Sequence, residues 1–185
     1  MATNQPSHID DKSGISRLDV GDTIQAAVLT VSDRCAAGEM KDTAGPATAA
    51  LLADKLHAHP AWTGIVPDEA DAIESTLKEV ADRGIDLLAT VGGTGCGPRD
   101  VTPEATRKVI TRDVPGLAEA MRTASAREFP HALLQRGVCG IRGRTLIVNL
   151  PGSLKASVEN LSVILPVLPH AVQLLRGDTD RHPTA

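Results

Sequence analysis

Residues Val91 to Thr106, VGGTGCGPRDVTPEAT, restrict the possible folds of this chain more than any other stretch. They follow an apolar run, Ile85 to Val91, of the length and composition of a buried strand. They end in Thr102-Pro103-Glu104, which reads as a helix start: Thr102 as N-cap and Pro103 in the first turn, where a missing N–H costs nothing. Between them, Gly92, Gly93, Gly95 and Gly97 open the backbone. Without a Cβ in the way, several N–H groups can approach an anion, and the helix behind adds its positive dipole end. The stretch therefore reads as an anion-binding strand-to-helix connection; the plainer alternative is a flexible connection with no ligand.

The common phosphate motifs do not fit. A P-loop needs G-x-x-x-x-G-K-[ST], and no Lys-Ser or Lys-Thr pair follows these glycines. A dinucleotide fingerprint needs G-x-G-x-x-G; counted from Gly93 the sixth position is Pro98, and counted from Gly95 it is Asp100.

Periodicity orders the rest of the chain. Gln25 to Val31 reads as the first strand and Thr43 to His57 as a helix with Ala49, Leu52 and Leu56 on one face. Thr63 to Val66 reads as a short second strand with Trp62 in the core at its start. Glu69 to Arg83 is an amphipathic helix with Ile73, Leu77, Val80 and Ala81 in one stripe, ended by Gly84. After the third strand, helices are expected from Thr102 to about Arg112 and from Gly116 to Arg127. Val138 to Ile141 and Thr145 to Leu150 read as strands joined by a turn at Arg142-Gly143-Arg144. The apolar spacing from Val158 to Leu175 is helical, with a break at Pro166 and Pro169.

This alternation predicts an α/β three-layer sandwich: a mostly parallel central sheet with helices on both faces, plus a small β-hairpin. Residues 22–177 form one domain on this reading. Residues 1–21 are a disordered or loosely attached arm and 178–185 a polar tail. Ligands of such sheets sit beyond the carboxyl ends of the strands. Ser32-Asp33, Asp68, the glycine loop and Asn149 to Ser153 each follow a strand.

Composition removes several classes. A net charge of −4 disfavours an electrostatic nucleic-acid partner. With one Trp, one Phe and no Tyr, base-stacking platforms are not expected, so a ligand ring must lie against aliphatic side chains and peptide planes. Cys35, Cys96 and Cys139 show no C-x-x-C spacing, which argues against a zinc site or a disulfide framework and for reduced thiols in a cytoplasm. Cys96, inside the glycine loop, is either reactive or a passive small residue. No signal peptide, membrane span or histidine site is expected.

GGTG-x-x-x-RD-x-TPEAT, as it stands from Gly92 to Thr106, resembles the signature of the molybdenum-cofactor biosynthesis domain. That domain occurs in molybdopterin adenylyltransferases of the MogA/MoaB type and in plant and animal fusion proteins. Thr30 to Arg34 (TVSDR), Val66 to Glu69 (VPDE) and Asn149 to Ser153 (NLPGS) resemble further family segments, in the same order, and the match runs from about Ile24 to Gly177. The resemblance implies transfer of AMP from ATP to the terminal phosphate of molybdopterin, with release of pyrophosphate. It implies Asp68 and Asp100 as essential acids that place Mg2+. Gly92, Gly93, Thr94 and Gly95 would cradle phosphate, Ser32, Asp33, Asn149, Pro151, Gly152 and Ser153 would line the nucleotide and pterin pockets, and Arg136 would contact the pterin side. It further implies a homotrimer, with possible contact to molybdopterin synthase and molybdenum insertase.

Read from the residues alone, Asp68 also fits a cap for the helix at Glu69, and Asp100 a salt bridge to Arg99 or a cap. Lys155 could reach a phosphate or be a surface lysine. Two departures from the family pattern stand out: Leu154, where a proline often follows P-G-x, and Gln135, where relatives often carry serine beside the arginine. The alternatives to an adenylyltransferase are a non-catalytic molybdopterin-binding or assembly relative and an unrelated flavodoxin-like or nucleotide-binding protein on the same architecture.

Overall fold

A computed structural model describes residues 23–177; the N-terminal arm, the polar tail and the histidines at 8 and 182 lie outside the described residues. β1 (Gln25–Val31) leads through a single turn, α1 (Asp33–Ala36), and helix α2 (Ala44–Leu56) into β2 (His59–Val66). Helix α3 (Ala70–Ala81) connects to β3 (Leu87–Val91), and the glycine loop follows before α4 (Thr102–Val109). A two-residue strand β4 (Arg112–Asp113), helix α5 (Pro115–Ala126) and a 3-10 segment (Pro130–Leu134) come next. The hairpin β5 (Cys139–Arg142) and β6 (Thr145–Leu150) precedes α6 (Leu154–Ile164), a short 3-10 turn and α7 (Leu168–Arg176).

The six strands form one sheet in the order β2-β1-β3-β6-β5-β4. β2, β1, β3 and β6 are mutually parallel; β5 runs antiparallel to both β6 and β4. Both faces are covered, so the inner strands read as continuous apolar runs while alternate residues serve opposite layers. Ala26, Val28, Leu87, Ala89, Leu146 and Val148 pack with α2, α5, α6 and α7. Ala27, Leu29, Val31, Leu88 and Ile147 pack with α3 and α4. The expected three-layer α/β sandwich is the architecture found.

The differences from the sequence reading have local causes. β2 begins at His59, four residues early, because it is an edge strand whose exposed residues carry no apolar signal. Trp62 is half-buried rather than in the core, and its indole lies across Gly64, where a Cβ would come within 2.4 Å of the ring. α4 stops at Val109, not Arg112, since Arg112 and Asp113 pair with β5. The run Leu154–Arg176, at 23 residues, is long and apolar enough to cross a membrane by length and composition, contrary to expectation. Its Leu161, Ile164, Leu168 and Val172 are instead buried against the sheet, and the helix breaks at a 3-10 turn containing Pro166.

The amino edge of the sheet is fastened by one acid. Asp86, 1% exposed, accepts from the Gln25 N–H at 2.8 Å and from Arg176 Nε and a terminal guanidinium nitrogen at 3.0 and 2.6 Å. A buried acid stripped of its partner costs about 3–5 kcal/mol, so α7 is held firmly to the starts of β1 and β3.

Candidate active site

The carboxyl ends of β1, β2, β3 and β6 converge on the glycine loop. Gly92 has φ +112°, and a Cβ there would lie 2.2 Å from the Val31 carbonyl oxygen. Its N–H donates to Leu150 O at 3.1 Å, tying the loop to β6. Gly93, at φ +62°, passes under Asp68: a Cβ on it would lie 3.0 Å from Asp68 Oδ1. Only glycine can follow this path. Thr102 closes the loop rather than capping the helix. Its hydroxyl donates to Gly92 O at 2.9 Å and its N–H to Gly93 O at 3.1 Å, while Val101 occupies the N-cap position.

Four charged residues stand around the loop. Asp33 and Asp68 exchange hydrogen bonds: the Asp33 N–H donates to Asp68 Oδ2 at 2.8 Å, and the Asp68 N–H to Asp33 Oδ1 at 2.9 Å. Arg99 does not pair with its neighbour Asp100. It reaches across to Asp33, donating to both carboxylate oxygens at 3.1 and 2.8 Å. Asp100 turns back over the loop and accepts from the Gly97 N–H at 2.7 Å; a Cβ on Gly95 would lie 2.9 Å from its Oδ2. Asp68 and Asp100, thirty-two positions apart, thus stand over neighbouring glycines.

Their electrostatics differ. The Arg99 guanidinium, with the Asp68 N–H, holds the Asp33 carboxyl below the ordinary aspartate value. Burial pushes Asp68 up, and the like charges of Asp33 and Asp100 add to it, against the opposing hydrogen bond from Asp33. Asp68 is therefore an acid whose charge is under-compensated at this edge.

Beside the loop opens a cavity of about 720 Å3, within the range of small-molecule sites. Gly93, Thr94, Gly95 and Asp100 form one wall; Pro151, Gly152 and Ser153 form another, with Lys155 at the start of α6. Ser153 caps that helix by accepting from the Ala156 N–H at 3.2 Å. Asp68 stands just behind Gly93, outside the wall.

Several expected ligand residues have other employment. Asn149 does not line a pocket: it is fully buried, donates to the Thr90 and Thr106 hydroxyls at 2.9 and 3.0 Å, and accepts from the Val138 N–H at 3.1 Å. A buried polar group left unpaired costs about 1–3 kcal/mol, so this amide is a core pin joining β6, β3 and α4. Arg136 braces the glycine loop. Its guanidinium donates to Gly95 O at 2.6 Å, to Asp100 O and to the Glu104 carboxylate, and its N–H to Thr94 O at 2.8 Å. Ser32 caps α1, accepting from the Cys35 N–H at 3.3 Å. Asp33 serves to position Asp68 and Arg99.

The third wall was not anticipated. Phe129, His131, Leu134 and Gln135 line it with Glu128. These residues belong to the 3-10 segment and its flanks, which have no helical or strand period to mark them. The one phenylalanine and His131 both line this cavity, although the composition gave no expectation of an aromatic wall or a histidine site. Among the described residues no group of three or more His, Cys, Asp or Glu side chains is arranged to hold a metal by itself.

Comparison with known proteins gives a consistent picture. Residues 27–170 match the family described as "Probable molybdopterin binding domain". The chain is 43% identical over 158 residues to the molybdenum cofactor synthesis protein cinnamon of Drosophila melanogaster, covering 85% of this chain and 26% of that one; it spans about a quarter of that longer relative. It is 41% identical over 158 residues to the molybdopterin adenylyltransferase of Helicobacter pylori, covering 84% and 90%. Among solved structures, the molybdopterin biosynthesis enzyme MoaB of Thermus thermophilus superposes with a TM-score of 0.79 at 51% identity, covering 84% of this chain and 98% of that one.

Proposed function

The chain belongs to the family of the probable molybdopterin binding domain, and we propose from that premise that it is a molybdopterin adenylyltransferase. The observation that carries the reading is that Asp68 and Asp100 lie over Gly93 and Gly95 of one glycine-rich loop, in a chain 41% identical to a bacterial molybdopterin adenylyltransferase of nearly its own length.

In this reaction the terminal phosphate oxygen of molybdopterin forms a bond to the α-phosphorus of ATP. The bond from that phosphorus to the bridging oxygen breaks, and pyrophosphate leaves with the electron pair. No protein base is required, because a phosphate monoester has a second pKa of about 6 and is mostly dianionic at neutral pH. The protein's work is alignment, which can supply about 7–11 kcal/mol of a barrier. The N–H groups around Gly93, Thr94 and Gly95 hold the phosphates, Lys155 adds positive charge at the cavity edge, and the Arg136 brace keeps the loop from yielding.

The donor set fits Mg2+, a hard ion that takes one or two carboxylates and fills its remaining positions with phosphate oxygens and water. Asp68 and Asp100 would hold it; burial first, and then the like charges of Asp33 and Asp100, push the Asp68 pKa up, a load that a bound cation would relieve. Bound there, the ion would offset charge on the phosphate oxygens.

The test is direct: purified protein is incubated with molybdopterin, ATP and Mg2+, and adenylylated molybdopterin with pyrophosphate is the expected product. Bound but unmodified molybdopterin would assign the chain instead to the non-catalytic relatives. The proposal includes a cytoplasmic location and a homotrimer, supported by the exposed Val163, Val167 and Leu174 of the last helices; contacts with molybdopterin synthase and molybdenum insertase belong to the same reading.

Acid should reveal Asp68. Because its folded pKa lies above the ordinary 3.8, the folded state holds its proton to higher pH than the unfolded chain does. Stability contributed by this group therefore falls as pH rises through the window above 3.8. Activity, which needs the carboxylate, is lost as pH falls through the same window. Asp68→Asn should match or exceed the parent in thermal stability at pH 7 while losing AMP transfer. A clear drop in melting temperature for that variant would show that the charge is not under strain.

A further inference from the structure

Two of the three aspartates at the sheet edge each keep one carboxylate oxygen open, and the third keeps none. Asp68 accepts from the Asp33 N–H through Oδ2 at 2.8 Å. Its Oδ1, the oxygen over Gly93, has no hydrogen-bond partner among the described residues. Asp100 accepts from the Gly97 N–H through Oδ2 at 2.7 Å, and its Oδ1 is open in the same way. Asp33 is occupied at both oxygens. Oδ1 accepts from the Asp68 N–H at 2.9 Å and from an Arg99 terminal nitrogen at 2.8 Å, and Oδ2 accepts from Arg99 Nε at 3.1 Å.

Arg99 belongs to an exposed turn, residues 96–99, directly before Asp100. On one side Arg136 holds this turn by donating to the Asp100 carbonyl. On the side of β1 and β2, among the described residues, Arg99 makes the side-chain bonds. It places a two-point fork on Asp33, at the end of β1, and a longer contact of 3.5 Å on Glu69, beside Asp68. The guanidinium thus connects the segment that carries Asp100 to the one that carries Asp68, with Asp33 as the link.

We infer that Arg99 is a positioning residue for the acid pair: by saturating Asp33 it keeps that carboxylate off the cation, and it fixes Asp68 relative to Asp100. This rests on the reading of the site as a Mg2+-dependent adenylyltransferase, which gives the cation to those two acids. A plain charge effect predicts the reverse behaviour. Taking an exposed positive charge away from three acids should tighten cation binding, by about fivefold or less. Taking away an outer group that orients a metal ligand weakens binding by about 10–100-fold. The signs are opposite and the positioning effect is the larger. Lysine separates the two as well, because an ammonium carries the charge but cannot form the fork on both Asp33 oxygens.

The experiment follows binding of Mn2+ alone to the full chain by electron paramagnetic resonance, with AMP transfer measured at saturating Mg2+ in parallel. Arg99→Met should weaken Mn2+ binding about tenfold, and Arg99→Lys should weaken it nearly as much. In AMP transfer both should lose about tenfold in kcat, with KM for ATP within about twofold of the parent. Asp33→Asn should give the same losses, and the double variant should be no worse than the weaker single one, because both residues act through one contact. Arg99 is on the surface, so melting temperatures serve as a control for folding. Tighter Mn2+ binding in Arg99→Met, parental binding in Arg99→Lys, multiplied losses in the double variant, or a parent that binds no Mn2+ overturns the proposal. So does a loss confined to KM for ATP, which would make Arg99 a substrate contact. If Mn2+ binding depends on Arg99 while the parent transfers no AMP, the positioning role stands and the enzymatic reading falls. If AMP transfer proceeds and neither Mn2+ affinity nor kcat responds to Arg99, the positioning role alone falls.

Discussion

Replacing Asp100 with asparagine is expected to lower pyrophosphate release by about 10^2–10^3-fold, the usual effect of deleting one group that stabilises a charged transition state. The substitution isolates the charge. Asparagine keeps an oxygen that accepts from the Gly97 N–H, now bonded at 2.7 Å, so the turn at 97–100 survives. Arg99 is unaffected, since it is held by Asp33 and not by Asp100. Fold and pterin affinity should therefore match the parent while turnover collapses. Steady-state pyrophosphate release and a melting curve on the same sample decide it; near-normal turnover would reduce Asp100 to a loop brace.

The largest stability effect is expected at Gly92→Ala, about 3 kcal/mol or more in urea unfolding. Two costs add there. A φ of +112° strains an L-residue by about 1–3 kcal/mol, and a methyl 2.2 Å from the Val31 carbonyl forces β1 and the loop apart, an overpacking cost of about 1–3 kcal/mol. Gly143→Ala is the control. It too has positive φ, +56°, but nothing lies within 4 Å of its added carbon, so about 1–2 kcal/mol is expected. Equal losses at the two positions would mean that close approach does not shape the loop.

Much of this architecture is legible in residue order. The apolar runs at Gln25, Ile85 and Thr145 and the stripe Ile73, Leu77, Val80 carry the right periods, because buried inner strands and amphipathic helices leave strong signals. The glycine loop is legible for a related reason: backbone that must pass close to other backbone can use few residue types. Partner choice left no such trace. Asn149 and Arg136 sit inside motif-like segments, but which way a side chain points, and which carbonyls need a donor, depends on neighbours forty to sixty positions away. Thr90, Thr106 and Gly95 supply those neighbours. The wall around Phe129 was hidden for the opposite reason. It belongs to a 3-10 segment with no period, and one phenylalanine in a chain with one Trp and no Tyr leaves no pattern to read.

Asp86 binds the start of β1 and the end of α7 at once, on the side of the sheet away from the cleft. The polypeptide therefore enters and leaves its folded body through the same rear doorway.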